Sequence, residues 1–346
     1  MLYQEISEQP TAIARLLDAH LPALDDLAAW LGAHDVTSVV IAARGTSDNA
    51  ARYAQYLLGV ANRLPVALAT PSLVTVYGVA PRYDGALVIG VSQSGQSPDI
   101  VAVLDAARQQ GRPTLAITND PGSPLARVAD RVLDLHAGPE QAVAATKTYT
   151  TSLAALALVS IALDAPERRA ERSAELRSVP AHVAAVLDDV GGRLAAADRY
   201  CYLQRCAVLG RGLNYGTAFE VALKVKEMTG IVADAASPSD FLHGPIATVG
   251  HDHPVILVAP DEPSLESLRE VAGPLHERGA ELVVISADAG LLERATVALP
   301  LASQPPAWLT PLVAVLPGQH LAAHLAALRG VDLDQPAGLH KVTRTH

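Results

Sequence analysis

Residues 86–100, ALVIGVSQSGQSPDI, decide the fold. Their apolar run over residues 87–91 is typical of a strand that is buried on both faces. A helical pattern begins at Pro98, and Ser97 is a suitable N-cap because proline fits the first helical turn that follows it. The stretch therefore predicts a buried strand, a polar crossover loop and a helix, which is the repeating unit of a parallel α/β sheet.

The same unit occurs a second time in the chain. At a shift of 167 residues, ARGTSDNAARYAQ (from Ala43) aligns with GRGLNYGTAFEVA (from Gly210). The same shift aligns residues 87–99 with residues 254–266, PVILVAPDEPSLE. Several matches at one offset, each passing from an apolar run through a turn into a helical pattern, indicate a duplicated unit.

Short apolar runs alternate with longer amphipathic segments in both units. Strands are predicted over residues 38–43, 87–91, 114–118, 207–209, 255–258 and 282–285, and first-unit helices near residues 49–60 and 98–110. Such an alternation predicts a parallel sheet that helices cover on both faces. The predicted fold class is therefore α/β, with two tandem, doubly wound parallel sheets.

The pattern divides the chain into five segments. Its predicted parts are an N-terminal helical segment (1–36), a first α/β domain (37–165), a charge-rich helical linker (166–200), a second α/β domain (201–330) and a tail (331–346). The tail loses periodicity, and its Pro336 and Gly338 predict an extended segment.

Composition disfavours several classes of partner. The formal net charge is −10 and no long Lys/Arg run is present, which argues against nucleic acid. The two cysteines, Cys201 and Cys206, form neither a disulfide framework nor a metal spacing, so we expect a reducing compartment and no metal or cofactor. Residues 153–163 are apolar but shorter than the ~20 residues of a membrane span. The N-terminus lacks the continuous apolar core of a signal peptide, so we expect a cytoplasmic protein without a membrane partner.

The loop after residues 87–91 is a candidate anion site. Its hydroxyl and amide side chains are those of Ser92, Gln93, Ser94 and Ser97. Free N–H groups at the helix N-terminus would complete a neutral cradle for phosphate at the carboxyl end of a parallel strand. An ordinary capped polar loop would have the same composition. The turn ARGTS could add Ser47, whereas the corresponding second-unit turn APDEPS carries two acids and is not expected to bind phosphate.

The helix FEVALKVKEM (residues 219–228) is a candidate for acid–base chemistry. Glu220, Lys224 and Glu227 follow at i, i+4 and i+7 and share one face. A solvated salt-bridge stripe has the same spacing, but the apolar residues between them leave little room for a wholly exposed face. At the rim of a sheet, Lys and Glu would perturb each other's pKa values. His243, in the turn FLHGP, is a weaker candidate.

These stretches together resemble the double sugar-isomerase (SIS) family, and in particular the isomerase half of glucosamine-6-phosphate synthase. The resemblance covers nearly the whole chain through EISEQP, ARGTS, VSQSGQSPD, AGPEQAVAATK, GRGLNYGTAFEVALKVKE, HGP and DQPAGLHKV. It implies flavodoxin-like SIS domains. It also implies phosphate-binding roles for Ser47, Ser92, Gln93, Ser94 and Ser97, and sugar-lining roles for Glu140 and Val143.

The resemblance further implies a set of catalytic roles. Glu227 matches the family's proton-shuttling glutamate and Lys224 its oxygen-stabilising lysine. His243 matches its ring-opening histidine and Lys341 its imine-forming lysine. Because the family's histidine comes from the neighbouring subunit, the resemblance implies a homodimer.

The chain departs from the synthase pattern at several positions. Leu2 follows Met1 where the synthase has its nucleophilic cysteine, and no glutaminase domain precedes the first unit, so we expect no ammonia release from glutamine. Ala145 replaces a common serine and removes one hydrogen bond to the sugar or phosphate. Before HGP, residues 240–242 are Asp-Phe-Leu instead of Glu-Leu-Lys, and the Ser-Pro-Ser of residues 237–239 is expected to remodel the loop and shift substrate choice.

The reaction expected from these residues converts glucosamine 6-phosphate into fructose 6-phosphate and ammonia. The alternatives are a galactosamine-6-phosphate deaminase, a deglycase of phosphorylated fructosamine adducts and a non-catalytic sugar-phosphate sensor. A sensor needs the serine cradle but not Glu227, His243 and Lys341 together. The combination therefore favours an enzyme with a small-molecule sugar-phosphate substrate.

Overall fold

The computed structural model of the protein describes residues 1–251, 253–334 and 341. The strands of this part of the chain are β1 (Ser38–Ala42), β2 (Val66–Leu68), β3 (Ala86–Val91), β4 (Thr114–Thr118), β5 (Arg131–Asp134), β6 (Arg205–Leu209), β7 (Val232–Ala236), β8 (Val255–Ala259), β9 (Leu282–Ser286) and β10 (Val297–Pro300).

The α-helices of the same residues precede, connect and cover these strands. They are α1 (Leu2–Ser7), α2 (Gln9–His20), α3 (Leu24–Gly32), α4 (Thr46–Asn62), α5 (Ser72–Thr75), α6 (Pro98–Gln109), α7 (Pro124–Val128), α8 (Lys147–Ala162), α9 (Pro166–Val190), α10 (Tyr215–Thr229), α11 (Pro238–Leu242), α12 (Leu265–Glu277), α13 (Ala289–Glu293) and α14 (Pro311–Leu328). Short 3-10 segments include Gly191–Tyr200, which continues the helical linker, and Gly212–Asn214, which leads into α10.

The strands form two sheets of five. Their orders are β2-β1-β3-β4-β5 and β10-β9-β8-β6-β7, and every neighbouring pair is parallel. Read from the opposite edge, the second order matches the first strand for strand. This topology confirms the predicted α/β class with two doubly wound parallel sheets.

The structure also confirms the internal repeat. The shift of 167 residues carries β1 onto β6 residue for residue, and it carries the start of α6 at Pro98 onto the start of α12 at Leu265. Corresponding strands of the two sheets differ in their bounds by only one or two residues at this shift. The duplicated sequence therefore folds into a duplicated sheet.

Four strands were missed by the sequence analysis, and all four are sheet edges. They are β2 and β5 in the first sheet and β7 and β10 in the second. Their residues are only partly buried, whereas β3, β4, β8 and β9 are buried throughout. An edge strand needs no continuous apolar run, so its sequence does not differ clearly from that of a loop.

The chain forms two compact units that alternate along the sequence. The first-sheet unit comprises Thr11–Glu140, Lys147–Arg177 and, at the C-terminal end, Lys341. The second-sheet unit comprises Met1–Pro10, Gln141–Thr146 and the described residues from Ser178 to Asp334. The five segment boundaries proposed from the sequence pattern stay a prediction. Most of the predicted tail, residues 335–340 and 342–346, lies outside the described residues.

Each unit contains one strongly buried apolar helix. Every residue of α8 is buried, and from Leu153 onward this helix is almost wholly apolar. It contains all but the last residue of the run 153–163 that was predicted to be a buried helix. In the described residues, α14 alone has the length and apolar composition of a membrane span, but 78% of it is buried inside the protein, as in a core helix. A Cβ on Gly318 of α14 would lie 2.4 Å from Val221, so this glycine lets α14 pack closely against α10.

Candidate functional site

Two polar loops of the first-sheet unit lie at the carboxyl ends of neighbouring strands. Residues 43–45 follow β1, and residues 92–97 follow β3, which pairs with β1. The order of the sheet reverses between these two strands, and doubly wound sheets bind ligands at that point. Four of the residues predicted to bind phosphate come from the second loop, namely Ser92, Gln93, Ser94 and Ser97. The fifth, Ser47, lies in the first turn of α4, directly after the first loop.

Gly95 gives the second of these loops its shape. Its φ is +59°, and a Cβ at this position would lie 2.1 Å from Ser123 Oγ. The Gly95 N–H donates to Ser92 Oγ at 3.1 Å, and the Gln96 N–H is 3.3 Å from Ser94 Oγ. The positive φ and the close approach of Ser123 together require glycine here, and two of the predicted serines support the loop itself.

Ser97 occupies the N-cap position of α6, as predicted. Its backbone is extended, with φ −70° and ψ 110°, but its hydroxyl makes no capping hydrogen bond. N–H groups at the start of a helix attract anions, and a hydroxyl that caps none of them can turn toward a ligand. The start of α6 therefore has the donor chemistry of an oxyanion site.

An ion pair that was not predicted from the sequence joins the first loop to the start of α6. Nε and Nη2 of Arg44 each lie 2.9 Å from Oδ2 of Asp99, a buried carboxylate in the first turn of α6. Half of the Arg44 side chain stays exposed, so a positive charge is present beside the cradle. The signal in the sequence was the alignment of Arg44 with Arg211 in the repeat.

Glu140 and Lys341 lie together in the first-sheet unit. The fully buried Glu140 carboxylate accepts the Thr148 hydroxyl at 2.7 Å and the Thr148 N–H at 3.1 Å. Its Oε2 also lies 2.9 Å from Nζ of Lys341. The structure thus brings together two residues that the sequence analysis named separately, and Thr148 at the start of α8 orients their shared carboxylate.

Val143 lies in the second-sheet unit, in the loop Gln141–Thr146. The buried Glu5 carboxylate of α1 holds this loop, since it accepts the N–H of Gln141 at 2.5 Å and that of Ala142 at 3.3 Å. Glu5 belongs to the motif EISEQP, whose function the sequence left open. Its contacts explain why an N-terminal helix belongs to the same unit as this loop.

The helix α10 carries three charged side chains in contact, two of which are buried. Nζ of Lys224 lies 2.5 Å from Glu227 Oε2 and 3.4 Å from Glu220 Oε1. The side chains of Lys224 and Glu220 are 1% and 0% exposed, whereas that of Glu227 is 26% exposed. A solvated salt-bridge stripe is therefore not what is found. One carboxylate is closed off from water and the other stays accessible.

His243 is exposed and directly follows the short helix α11. Ser237 caps this helix, because its Oγ accepts the Asp240 N–H at 3.1 Å and donates to Asp240 Oδ2 at 2.7 Å. Phe241 is buried in the apolar core of the second-sheet unit. The unusual residues before the HGP turn thus form a capped and anchored helix that leads into His243.

The described residues contain no group of three or more His, Cys, Asp or Glu side chains that could hold a metal ion.

The sequence and fold are similar to those of known proteins. A family model of the SIS domain matches residues 34–162 and 204–329, once in each repeat. A glutamine–fructose-6-phosphate aminotransferase (isomerizing) of Bordetella parapertussis is 35% identical over 352 residues, covering 98% of this chain and 57% of that protein. The chain thus spans little more than half the length of this curated relative.

Two solved structures match over nearly their whole length. The C-terminal domain of glucosamine-fructose-6-phosphate aminotransferase from Francisella tularensis has a TM-score of 0.88 at 29% identity, covering 97% of this chain and 98% of that chain. A Silicibacter pomeroyi DSS-3 protein with a proposed phosphosugar isomerase activity has a TM-score of 0.84 at 34% identity, covering 96% of this chain and 99% of that chain.

Proposed function

The chain belongs to the SIS-domain family, and from that membership we propose that it is a phosphosugar isomerase acting on an amino-sugar 6-phosphate. The proposed reaction is the isomerising deamination of glucosamine 6-phosphate, with water, to fructose 6-phosphate and ammonia. The observation that carries the proposal is the accessible Glu227 carboxylate beside the buried Lys224 ammonium, 2.5 Å apart. A carboxylate and an ammonium in contact supply a base and a charge-stabilising cation for proton transfer beside a carbonyl.

The serine loops would hold the phosphate. Hydroxyls of Ser47, Ser94 and Ser97 and the N–H groups at the starts of α4 and α6 offer several donors without a cost in buried charge. Gln93 would add an amide donor and Ser92 would support the turn at Gly95. Phosphate binding of this kind fixes one end of a sugar-phosphate substrate.

Glu227 would carry the proton. In the open-chain aldose, Glu227 removes the hydrogen of C2 as a proton and returns it to C1, while Lys224 stabilises the negative charge on the C1 oxygen. The exposed imidazole of His243 would assist the ring opening that precedes this step. The electron pair that leaves the C2–H bond forms an enaminol, and protonation at C1 converts the enaminol into an imine at C2.

Water would then hydrolyse the C2 imine and release ammonia. The imine is hydrolysed directly or first exchanged onto the amine of Lys341 as a Schiff base. The Glu140 carboxylate, held by Thr148, places this amine. Glu140 and Val143 are proposed to line the sugar site, and no step requires a metal or another cofactor.

We further propose that the protein is a cytoplasmic homodimer. Residues 73–79 of the first-sheet unit expose a run of apolar side chains, with Val76, Tyr77 and Val79 more than 60% exposed. Contiguous exposed apolar residues of this kind often mark an interface between subunits. Sedimentation of the purified protein tests the dimer, and a monomer at micromolar concentration would contradict it.

The reaction is tested by incubating the purified protein with glucosamine 6-phosphate and measuring ammonia and fructose 6-phosphate. Equal amounts of both products are expected. Galactosamine 6-phosphate and a 6-phosphorylated fructosyl amino acid are assayed in parallel, and exclusive turnover of either assigns the corresponding alternative. Binding of the sugar phosphates without product and without exchange of the C2 hydrogen in D₂O would contradict catalysis and identify a sensor.

A further inference from the structure

Glu262 occupies, in the second-sheet unit, the position that Gly95 occupies in the first. The shift of 167 residues also aligns Ser264 with Ser97 and Gly212 with Gly45. Gly45 and Gly212 both have positive φ, +54° and +61°, so the turn that leads into α4 is kept where the chain leads into α10. The turns after β1 and β6 therefore share this glycine conformation. The loops after β3 and β8 differ, since Ser97 is extended with ψ 110° and Ser264 is helical with ψ −5°, and the second loop carries a carboxylate where the first carries a glycine.

The Glu262 carboxylate is held by the donors of its own turn. Ser264 Oγ donates to Glu262 Oε1 at 2.7 Å, and the donors of Leu213 and Asn214 also act on this carboxylate by lowering its pKa. A Cβ on Gly212 would lie 3.4 Å from Glu262 Oε1, so the carboxylate lies directly against the turn. The Glu262 side chain is almost wholly buried.

These donors are the ones that an external oxyanion would use. Burial raises the pKa of Glu262, while the hydrogen bonds from Ser264, Asn214 and Leu213 lower it because they favour the ionised form. In the first-sheet unit the corresponding donors are the Ser97 hydroxyl, the Ser47 side chain and the N–H groups at the start of α4. There, no glutamate side chain fills the space above the turn.

We propose that the second-sheet unit has kept the oxyanion site of the repeat, and that the carboxylate of Glu262 occupies it permanently in place of a phosphate group. The chain therefore contains two homologous oxyanion sites, one open and one filled from within. The class of ligand that the second site would take, once emptied, is a small phosphate or phosphomonoester. This proposal rests on the repeat and on the contacts of Glu262, and not on the reaction proposed above.

The filled site has a structural effect on the acid–base helix. Leu213 and Asn214 lie immediately before α10, which carries Lys224 and Glu227. The carboxylate places a negative charge beside the start of this helix, where the helix dipole favours one. A fixed internal anion keeps the start of α10 ordered without depending on the concentration of any solute, and it keeps phosphate groups away from the second unit.

The variant Glu262→Gly tests the proposal, since it restores the residue found in the first unit. Its matched control is Glu266→Gln, which removes an exposed carboxylate from the first turn of α12. Melting temperatures are measured in potassium phosphate and in potassium chloride of equal ionic strength, and inorganic phosphate binding is counted by calorimetry. The Glu262→Gly protein is expected to bind one more phosphate per chain than the parent does. Phosphate should also raise its melting temperature more than that of the parent, by about 2–4 °C for each additional kcal/mol of binding free energy.

The control protein is expected to behave as the parent does in both salts. Glu262→Gln keeps the volume of the side chain, so it is expected to bind no additional phosphate. If Glu262→Gly is unfolded in chloride, folding that returns on addition of phosphate supports the proposal. A folded Glu262→Gly protein without additional phosphate binding would overturn it, and so would a protein that stays unfolded in both salts.

Discussion

The ammonium of Lys224 lies 3.4 Å from the carboxylate of Glu220, and both side chains are fully closed off from water. Glu227, whose Oε2 lies 2.5 Å from the same ammonium, is the member of the triad that solvent reaches. The two carboxylates on this helix face therefore differ in role. Glu220 holds the lysine, whereas Glu227 is accessible to a substrate. This division of roles makes the two glutamates distinguishable by experiment.

Removal of the buried ammonium should cost stability. Lys224→Met leaves the Glu220 charge without its lysine in a dry environment, so we expect a loss of ~3–5 kcal/mol in the free energy of unfolding. Lys226→Met, at an exposed position two residues away, should change it by less than ~0.5 kcal/mol. Urea denaturation of both variants measures the difference. Equal free energies of unfolding for the two variants would show that the Lys224–Glu220 pair contributes nothing to stability.

Removal of the accessible carboxylate should affect chemistry rather than stability. Glu227→Gln preserves size and hydrogen bonding but not basicity, so we expect turnover to fall by at least ~10²-fold while substrate binding is kept. The measurement combines ammonia release with loss of the C2 hydrogen to deuterated solvent, and Glu266→Gln is the control. A Glu227→Gln enzyme that exchanges the C2 hydrogen at the parent rate would assign the base to another residue.

Two glycines of the first-sheet unit allow the cost of backbone strain to be distinguished from the cost of a steric clash. Gly95 and Gly111 both have positive φ, but a Cβ would meet Ser123 at Gly95 and nothing within 4 Å at Gly111. Gly111→Ala should cost ~1–2 kcal/mol of stability through backbone strain alone. Gly95→Ala should cost more and also weaken sugar-phosphate binding, because the serine loop must shift. Calorimetric titration would contradict the cradle if both variants bound equally well.

The thiol of Cys206 should be inert in the folded protein. Burial, and secondarily the nearby Asp234 carboxylate, raise its pKa to about 12. At pH 8 the reactive thiolate is then only ~10⁻⁴ of the total, and its share rises about tenfold per pH unit below that pKa. A Cys201→Ser protein should therefore show no titratable thiol at pH 8 until denaturant is added. Rapid labelling of the native variant would contradict the burial of β6.

The central strands could be predicted from sequence because burial on both faces leaves a visible apolar run. β4 was predicted with its observed bounds, and β1, β3, β8 and β9 to within one residue at each end. The edge strand β2 has three residues and none is fully buried, so its sequence carries no comparable signal. Whether an edge segment becomes a strand depends on which neighbouring strand is available for pairing, and only the folded sheet determines that.

The candidate site also has some features that the sequence predicts and others that it does not. The serine loop and the α10 triad were predictable because residue type and helical period place them before any tertiary contact forms. The pairing of Arg44 with Asp99, and of Glu262 with its own turn, depends on two loops meeting at the end of a sheet. From the sequence alone, the acids of the second turn indicate only that phosphate is not expected to bind there. That one of them replaces the anion depends on contacts that form only in the folded loop.

The alternation of the two units along the chain has a consequence for synthesis on the ribosome. Residues 1–10 emerge before either sheet, yet they belong to the second-sheet unit, whose strands begin only at Arg205. The first-sheet strands, by contrast, are complete once residue 134 has emerged. These ten residues therefore lack the rest of their own unit until the strands that begin at Arg205 have been synthesised. Nascent chains halted before residue 200 should leave Leu2 and Ile6 open to chaperones, although both are buried in the finished protein.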